Sequence, residues 1–455
     1  MRRSGEMARN IRHEHSLPER QIVDAQLSSS QLQQGRKTLT SPTPGAGRPS
    51  FLQPGVIGPV QTSNRIIRAG TGESTAGPDG FVTDQMIELH TALARGGVGV
   101  AFSGHMFCHP RGRYGMLQSG INSDEHIPGL VRLTTAVHRQ GGLIFCQIGH
   151  AGSQSMVPGV RPLAPSAVSN VMTGRHVAGA TADEVDEAVA AFASAARRAA
   201  ESGFDGVHIH GANGYLISEF VSPLTNQRTD RWGGSSDARL QFPLAVVREV
   251  RAALPKEFAL TMKLGFADLV DTPGGLGVDV AVAGAARLVA AGLDGIEVSS
   301  NLMSDYVSAS IRPYVAVDRR RAVEDLLLHR VFRPGEPEAY FRDFATKLRA
   351  RVKTTIILVG GIRRPSTMSE IIDSGDADFV SLARPFIRQP DLVRRLEVNP
   401  KTMPDCVSCN ICLMHDEHHP LRCWRTPKVR LVEHAWYRLR GGFNHGSGRK
   451  PVAED

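Results

Sequence analysis

The sequence predicts an α/β fold, a single (β/α)8 TIM barrel, because short apolar runs alternate along it with helical stretches. Eight such runs occur, at residues 64–70, 98–104, 143–150, 206–210, 260–265, 295–300, 355–361 and 378–384. They lack polar alternation, as is typical of parallel strands buried on both faces. Eight strand–helix units favour a closed barrel. Periodicity alone leaves an open doubly wound sheet as the alternative.

The helical stretches carry their own end signals. The clearest covers residues 182–203, where Thr181 is predicted to cap the first turn and Gly203 to follow the last. A second covers residues 279–292 and is rich in Ala and Val. These repeats between the apolar runs are what a barrel requires on its outer face.

Three regions are predicted from composition. Residues 1–50 are rich in Ser, Gln, Arg and Pro and are expected to form a disordered N-terminal extension. Residues 51–400 are expected to form the barrel. Residues 401–455 combine a Cys-rich segment with a short basic C-terminal tail.

The net charge of +8 lies at the two ends of the 455-residue chain. Residues 1–50 carry +4 and residues 422–455 carry +5, whereas residues 51–421 carry −1. Basic ends of this kind indicate a solvated surface, so no nucleic-acid partner is expected. No apolar run is long enough to span a membrane, and the N-terminus lacks the apolar core of a secretory signal. We therefore expect a cytoplasmic protein without a membrane partner.

Polar residues collect at the carboxyl ends of the predicted strands, where barrels carry their chemistry. They are Gln147 after the third strand, His210, Asn213 and Tyr215 after the fourth, Lys263 on the fifth, Gly360 and Gly361 after the seventh, and Ala383 and Arg384 after the eighth. A glycine pair and an Arg at the last two strands predict a phosphate-binding site. No GxGxxG or Walker A motif occurs, so the phosphate is expected to belong to a cofactor over the barrel mouth.

The stretch HIHGANGYLISEF at residues 208–220 places three chemically different groups close together. His210 and Asn213 offer N–H donors that would polarise a carbonyl oxygen and stabilise a developing enolate. Tyr215 offers an O–H that can deliver a proton to carbon. The group contains neither a nucleophile nor a carboxylate partner, so a hydrolytic triad is not indicated.

Residues 208–235 resemble the signature of the Old Yellow Enzyme family of FMN-dependent ene reductases. The resemblance extends to residues 51–66, 123–152 and 358–395, the first of which is expected to form the hairpin over the barrel floor. It implies that NAD(P)H reduces FMN and that the substrate is an α,β-unsaturated carbonyl or nitro compound, an electrophilic alkene. It further implies that His210 and Asn213 bind the activating oxygen and that Tyr215 protonates the α-carbon.

The same resemblance implies a set of FMN-binding residues, which are Ala69, Gly70, Thr71, Gln147, Lys263, Gly360, Gly361, Ala383 and Arg384. Gln147 is expected at the pyrimidine edge of the flavin, and Lys263 near its N1 and O2 atoms. The chain departs from the family at Ser153, where Arg is usual, which is expected to alter the substrate mouth. Barrels of this family often pair, so the resemblance leaves both a monomer and a homodimer open.

Four of the six cysteines cluster near the C-terminus as Cys406, Cys409, Cys412 and Cys423. The segment resembles the iron–sulfur segment of 2,4-dienoyl-CoA reductase and trimethylamine dehydrogenase relatives. A [4Fe–4S] cluster, a zinc ion and unligated thiols all remain open. A cluster would imply either an electron-transfer partner or a structural role. Cys108 and Cys146 lie inside apolar runs and are expected in the core.

Three functions compete. The first is an NAD(P)H-dependent FMN ene reductase, which the spacing of His210, Asn213 and Tyr215 favours. The second is a flavin oxidase or demethylase linked to an iron–sulfur cluster, which the CxxCNxC spacing favours. The third is a non-catalytic flavin- or metal-binding protein, against which the intact HxxNxY motif argues.

Overall fold

The computed structural model describes residues 47–169, 175–268, 273–302, 338–409, 411–413 and 419–440. Nearly all of the predicted N-terminal extension and residues 441–455 of the predicted tail lie outside the described residues. Eight parallel strands form the centre of the structure, one in each predicted run. They are β1 (Ile66–Arg68), β2 (Val100–Phe102), β3 (Ile144–Gly149), β4 (Gly206–Gly211), β5 (Ala259–Gly265), β6 (Gly295–Ser299), β7 (Thr355–Leu358) and β8 (Phe379–Leu382).

The strands close into a barrel. Each pairs in parallel with the next, and β8 pairs with β1, so the ring has no free edge. Strands β3 and β5 are buried at every position, as the unbroken apolar runs require. Cys108 and Cys146 are buried as expected. The predicted (β/α)8 barrel is confirmed, and the open sheet is excluded.

A hairpin closes the amino end of the barrel. Its strands, Gly55–Ile57 and Val60–Thr62, pair antiparallel. Ile57 is buried in a cluster with Ile67 and Phe379, which lie inside the barrel. The hairpin therefore forms the floor that the resemblance implies, and it leaves the carboxyl ends of the strands as the open face.

Helices surround the barrel. They are α1 (Asp84–Arg95), α2 (Ile127–His138), α3 (Ala182–Glu201), α4 (Leu216–Val221), α5 (Ser236–Arg239), α6 (Gln241–Ala253), α7 (Val278–Ala290), α8 (Arg342–Arg349), α9 (Pro365–Asp373), α10 (Arg384–Arg388), α11 (Leu392–Val398) and α12 (Val429–Leu439). Short 3-10 turns occur at Ser50–Leu52, Pro110–Gly112, Asp124–His126 and Gly152–Gln154. Strand pieces at Val168–Ser169 and His176–Val177 pair with each other, and Met106–Phe107 pairs with β3. No helix among the described residues is long and apolar enough to cross a membrane.

Helix α3 has both of its predicted end signals. The Thr181 side chain accepts the Glu184 N–H at 3.2 Å, and the Glu184 carboxylate accepts the Thr181 N–H at 2.9 Å. This reciprocal capping box satisfies two otherwise unpaired donors. Gly203 follows the helix with a φ of +79°, the left-handed conformation that glycine adopts without strain.

Candidate active site

One cavity at the carboxyl ends of the strands brings together all twelve residues predicted for catalysis and cofactor binding. They are Ala69, Gly70, Thr71, Gln147, His210, Asn213, Tyr215, Lys263, Gly360, Gly361, Ala383 and Arg384. They come from six different strand ends, separated by more than 300 residues of chain. Only the closed barrel places them around one volume.

His210 lies within the end of β4 and is buried. Burial lowers the pKa of its imidazole well below the usual range, and the nearby His105 and Lys263 lower it further. The ring is therefore neutral near pH 7. The Ala212 N–H donates to Nδ1 at 3.4 Å, which assigns the proton to Nε2. His210 consequently presents Nε2–H as a neutral hydrogen-bond donor.

Asn213 occupies a tight turn after β4. Its φ of +62° lies in the left-handed region, which few non-glycine residues adopt. The Asn213 N–H donates to the Ser300 carbonyl at 3.1 Å, and the Gln154 amide donates to the Asn213 carbonyl at 3.0 Å. The Asn213 side-chain NH2 donates one weak bond, 3.4 Å long, to the Ser299 hydroxyl. No second acceptor for this NH2 lies within the described part of the chain, so its other N–H is available to a ligand.

Tyr215 stands immediately before α4 and is buried against other rings. Its ring centroid lies 4.7 Å from that of His210, 5.1 Å from that of His105 and 6.0 Å from that of Tyr114. The turn at Asn213 and Gly214 brings the phenol back towards the end of β4, where His210 lies. Two N–H donors and one O–H donor thereby line the same cavity.

Lys263 is held by a carboxylate that the sequence analysis missed. Its Nζ atom lies 2.5 Å from Glu297 Oε2, and His208 Nε2 lies 3.2 Å from the same oxygen. Burial alone would raise the pKa of Glu297, but Lys263 and the His208 hydrogen bond outweigh it and hold that pKa below its usual range. Glu297 is therefore ionised at pH 7, and its contact with Nζ fixes the position of Lys263. Lys263 and Glu297 are direct partners in the β5–β6 register.

A second buried carboxyl lies behind the turn. Glu219 accepts the Ser153 N–H at 3.1 Å and also accepts the Ser153 hydroxyl. Burial raises the pKa of Glu219 to about 8, so this carboxyl is neutral at pH 7. Ser153 is the position where the resembled family often carries Arg.

The rest of the cavity suits a planar ring with polar edges and an attached phosphate. Gln147 Nε2 is buried and has no hydrogen-bond partner among the described residues. A side chain at Gly70 would come within 2.5 Å of the Gln147 amide, so only glycine leaves this edge open. Gly360 and Gly361 have φ values of +127° and +73°, and Arg384 lies beside them in the lining. Glycine turns and a guanidinium fit a phosphate.

Several lining residues were not among the predicted ones. His105, Tyr340, Phe341, Ser408 and Leu413 also line the cavity. His105 follows the second predicted strand run by one residue, and that position at a strand end is the signal that could have found it. Ser408 and Leu413 come from the Cys-rich segment, which therefore forms part of the cavity wall.

The four clustered cysteines line a second, smaller cavity. It shares Arg384 and Ser408 with the first, so the two cavities adjoin. Burial raises the pKa of the Cys406, Cys409 and Cys412 thiols. Within the described part of the chain, no three His, Cys, Asp or Glu side chains are grouped as the ligands of a single metal ion are. The thiols thus share a cavity without the close geometry of a mononuclear site.

Comparison with known proteins identifies the family of the chain. Residues 50–402 match the model of the NADH:flavin oxidoreductase / NADH oxidase family. The chain belongs to this family. The resemblance to Old Yellow Enzyme is thereby confirmed, and members of the family use FMN and NAD(P)H.

Individual relatives span most of the barrel. The 4,4'-dithiodibutanoate disulfide reductase of Rhodococcus erythropolis is 35% identical over 388 residues, covering 82% of this chain and 93% of the relative. An NADPH dehydrogenase of Geobacillus sp. is 34% identical over 341 residues, covering 75% and 91%. The solved Old Yellow Enzyme homologue of Zymomonas mobilis is 28% identical with a TM-score of 0.63, covering 79% and 96%. The chain spans only about half the length of other curated relatives.

Proposed function

We propose that the protein is an NAD(P)H-dependent FMN ene reductase acting on α,β-unsaturated carbonyl or nitro compounds. The observation that carries this proposal is the meeting of His210, Asn213 and Tyr215 in the cavity that also contains Gln147 and Lys263. Two donors for an oxygen and one proton donor for a carbon are what reduction of a polarised alkene requires.

FMN would be held by the residues that line the rest of the cavity. Gln147, whose amide lacks a partner, would bind the polar edge of the ring, and Lys263 would lie beside it as a fixed cation. Gly360, Gly361 and Arg384 would bind the phosphate, and Ala69, Gly70, Thr71 and Ala383 would complete the walls. When bound, FMN carries the hydride between NAD(P)H and the β-carbon of the alkene.

The protein's own groups provide the electrostatics and the proton. His210 Nε2–H and the free N–H of Asn213 would bind the activating oxygen and stabilise its developing negative charge. Because His210 is neutral, it donates a hydrogen bond without transferring its proton. Tyr215 would then deliver a proton to the α-carbon, whereas His210 and Asn213 would only donate hydrogen bonds to the oxygen.

The test is Tyr215→Phe compared with Tyr114→Phe, a matched loss of one hydroxyl about one ring away. We expect Tyr215→Phe to lower kcat for 2-cyclohexenone by about 10²–10⁴-fold. Oxidation of NAD(P)H by oxygen needs no proton donor to carbon and should continue at the wild-type rate. Tyr114→Phe should change neither reaction. If Tyr215→Phe leaves enone reduction intact, Tyr215 is not the proton donor.

Reduction of an organic disulfide is the second candidate. It is favoured by the relative from Rhodococcus erythropolis, which is aligned over 93% of its length. A hydride that originates from NAD(P)H would add to one sulfur and break the S–S bond, and Tyr215 would protonate the thiolate that leaves, giving two thiols. To distinguish the two candidates, the rates of reduction of 4,4'-dithiodibutanoate and 2-cyclohexenone are measured under identical conditions. Only the preferred substrate should saturate the enzyme at low concentration.

We also propose that Cys406, Cys409, Cys412 and Cys423 ligate a [4Fe–4S] cluster. A cluster spreads its four thiolates farther apart than one zinc ion does, which suits four thiols around a shared cavity. Iron and sulfide would be assayed in protein purified without oxygen, with Cys412→Ser as the variant and Cys108→Ser as the control. About four irons per chain, lost only in Cys412→Ser, would support the cluster. Zinc instead of iron would exclude it, and absence of both would leave the thiols unligated.

A further inference from the structure

His105 is a polar residue in the wall of the active-site cavity, and it has no role in the reaction proposed above. It follows β2 at the carboxyl end of the barrel, and its carbonyl is fixed by a hydrogen bond from the Gln118 amide at 2.9 Å. Its ring centroid lies 5.1 Å from that of Tyr215 and 5.6 Å from that of His210. His105 therefore stands beside the groups that would contact the substrate.

The imidazole of His105 is neutral and incompletely satisfied. Burial lowers its pKa to about 4, so it carries no charge at pH 7. Its Nε2 atom is shielded from solvent and has no hydrogen-bond partner among the described residues. A buried polar atom without a partner is unfavourable, and a ligand that supplies one removes that cost. An apolar side chain would fill the same volume without this cost, so the nitrogen indicates a polar ligand group.

We propose that His105 is a specificity-determining residue whose Nε2 atom binds a polar substituent on the α-carbon of the substrate. This inference rests on the proposed ene reduction. Tyr215 would protonate the α-carbon, and His105 packs against Tyr215, so a substituent on that carbon lies next to His105. The substrates preferred would be enones that carry a hydroxyl or carbonyl group at this position. A neutral ring selects hydrogen-bonding groups without requiring them to be charged.

The test uses two enones of nearly equal shape, 2-(hydroxymethyl)cyclohex-2-enone and 2-ethylcyclohex-2-enone. We expect the wild-type holoenzyme to prefer the first by about tenfold in kcat/KM, the worth of one hydrogen bond. In His105→Phe, which keeps an aromatic ring, the preference should disappear. In His105→Asn, which keeps a polar group, part of it should return. Reduction of the flavin by NAD(P)H is measured separately in each protein, so that a change in flavin reduction is distinguished from a change in preference between the two enones.

Two results would overturn the inference. They are equal kcat/KM for the two enones in the wild type, and an unchanged preference in His105→Phe. If both enones lose activity equally in His105→Phe, the residue contributes packing alone. Calorimetric binding of the saturated ketones 2-(hydroxymethyl)cyclohexanone and 2-ethylcyclohexanone gives an independent readout. If neither enone is reduced by the wild type, the proposed function fails. A tenfold binding preference that depends on His105 would then still support the polar contact.

Discussion

Glu297→Gln tests whether Lys263 depends on a buried partner. The substitution keeps the size of the side chain and removes its charge, leaving the Lys263 ammonium only 7% exposed and without a carboxylate. At 2.5 Å and an effective dielectric constant of about 20, the Coulomb attraction is about 7 kcal/mol. Desolvation of both groups offsets part of it. We expect a net loss of about 3–5 kcal/mol in the free energy of unfolding, as when one partner of a buried pair is removed.

The assay is equilibrium unfolding in urea at saturating FMN, with the midpoint and slope measured for each variant. The matched control is Glu370→Gln, which breaks the exposed pair with Arg342 at 2.6 Å and should cost at most about 1 kcal/mol. The double variant Lys263→Met/Glu297→Met should be less destabilised than Glu297→Gln, because no buried charge is left unpaired. If Glu297→Gln costs no more than Glu370→Gln, the charge of Lys263 is stabilised by solvent or by other groups, and the reasoning fails.

Three further predictions concern the supports of the site. Thr181→Ala should lower the free energy of unfolding by about 1 kcal/mol through loss of the capping box, whereas Thr346→Ala, inside α8, should have a smaller effect in the same urea assay. Gln154→Ala removes the hydrogen bond to the Asn213 carbonyl and should lower kcat/KM for enones about tenfold while flavin reduction by NAD(P)H, followed by stopped flow, is unchanged. Native Glu219 has a raised pKa of about 8, so the unfolded chain ionises first and wild-type stability should fall between about pH 4.5 and pH 8, by at most about 5 kcal/mol. Glu219→Gln should flatten that fall, and an identical pH dependence in the variant would refute the assignment.

The barrel was predictable because its signals are local. Unbroken β-branched runs, helical spacing and the cap at Thr181 each depend on neighbours in sequence, and the structure confirms all three. The site residues could be predicted for the same reason, since strand ends can be located before any tertiary contact is known. Their shared cavity then follows from closure of the ring.

The missed residues depend on contacts between distant parts of the chain. Glu297 is one charged residue in an apolar strand, and only the β5–β6 register places it beside Lys263. His105 lies one residue beyond a strand run, and its significance depends on the positions of Tyr215 and His210. Ser408 reaches the cavity from a segment that begins after the barrel. Periodicity in the sequence does not predict contacts between such distant residues.

Ser408 and Leu413 form part of the cavity wall, so ligand binding is linked to the folding of the Cys-rich segment. A ligand that fills the cavity touches the Cys-rich segment, so its binding energy also favours the folded arrangement of that segment. Conversely, oxidation of the neighbouring thiols would weaken retention of the ligand. A chimera joined at residue 400 would place the Cys-rich segment of one relative against the barrel cavity of another. The Cys-rich segment and the barrel should therefore be exchanged between relatives as one unit.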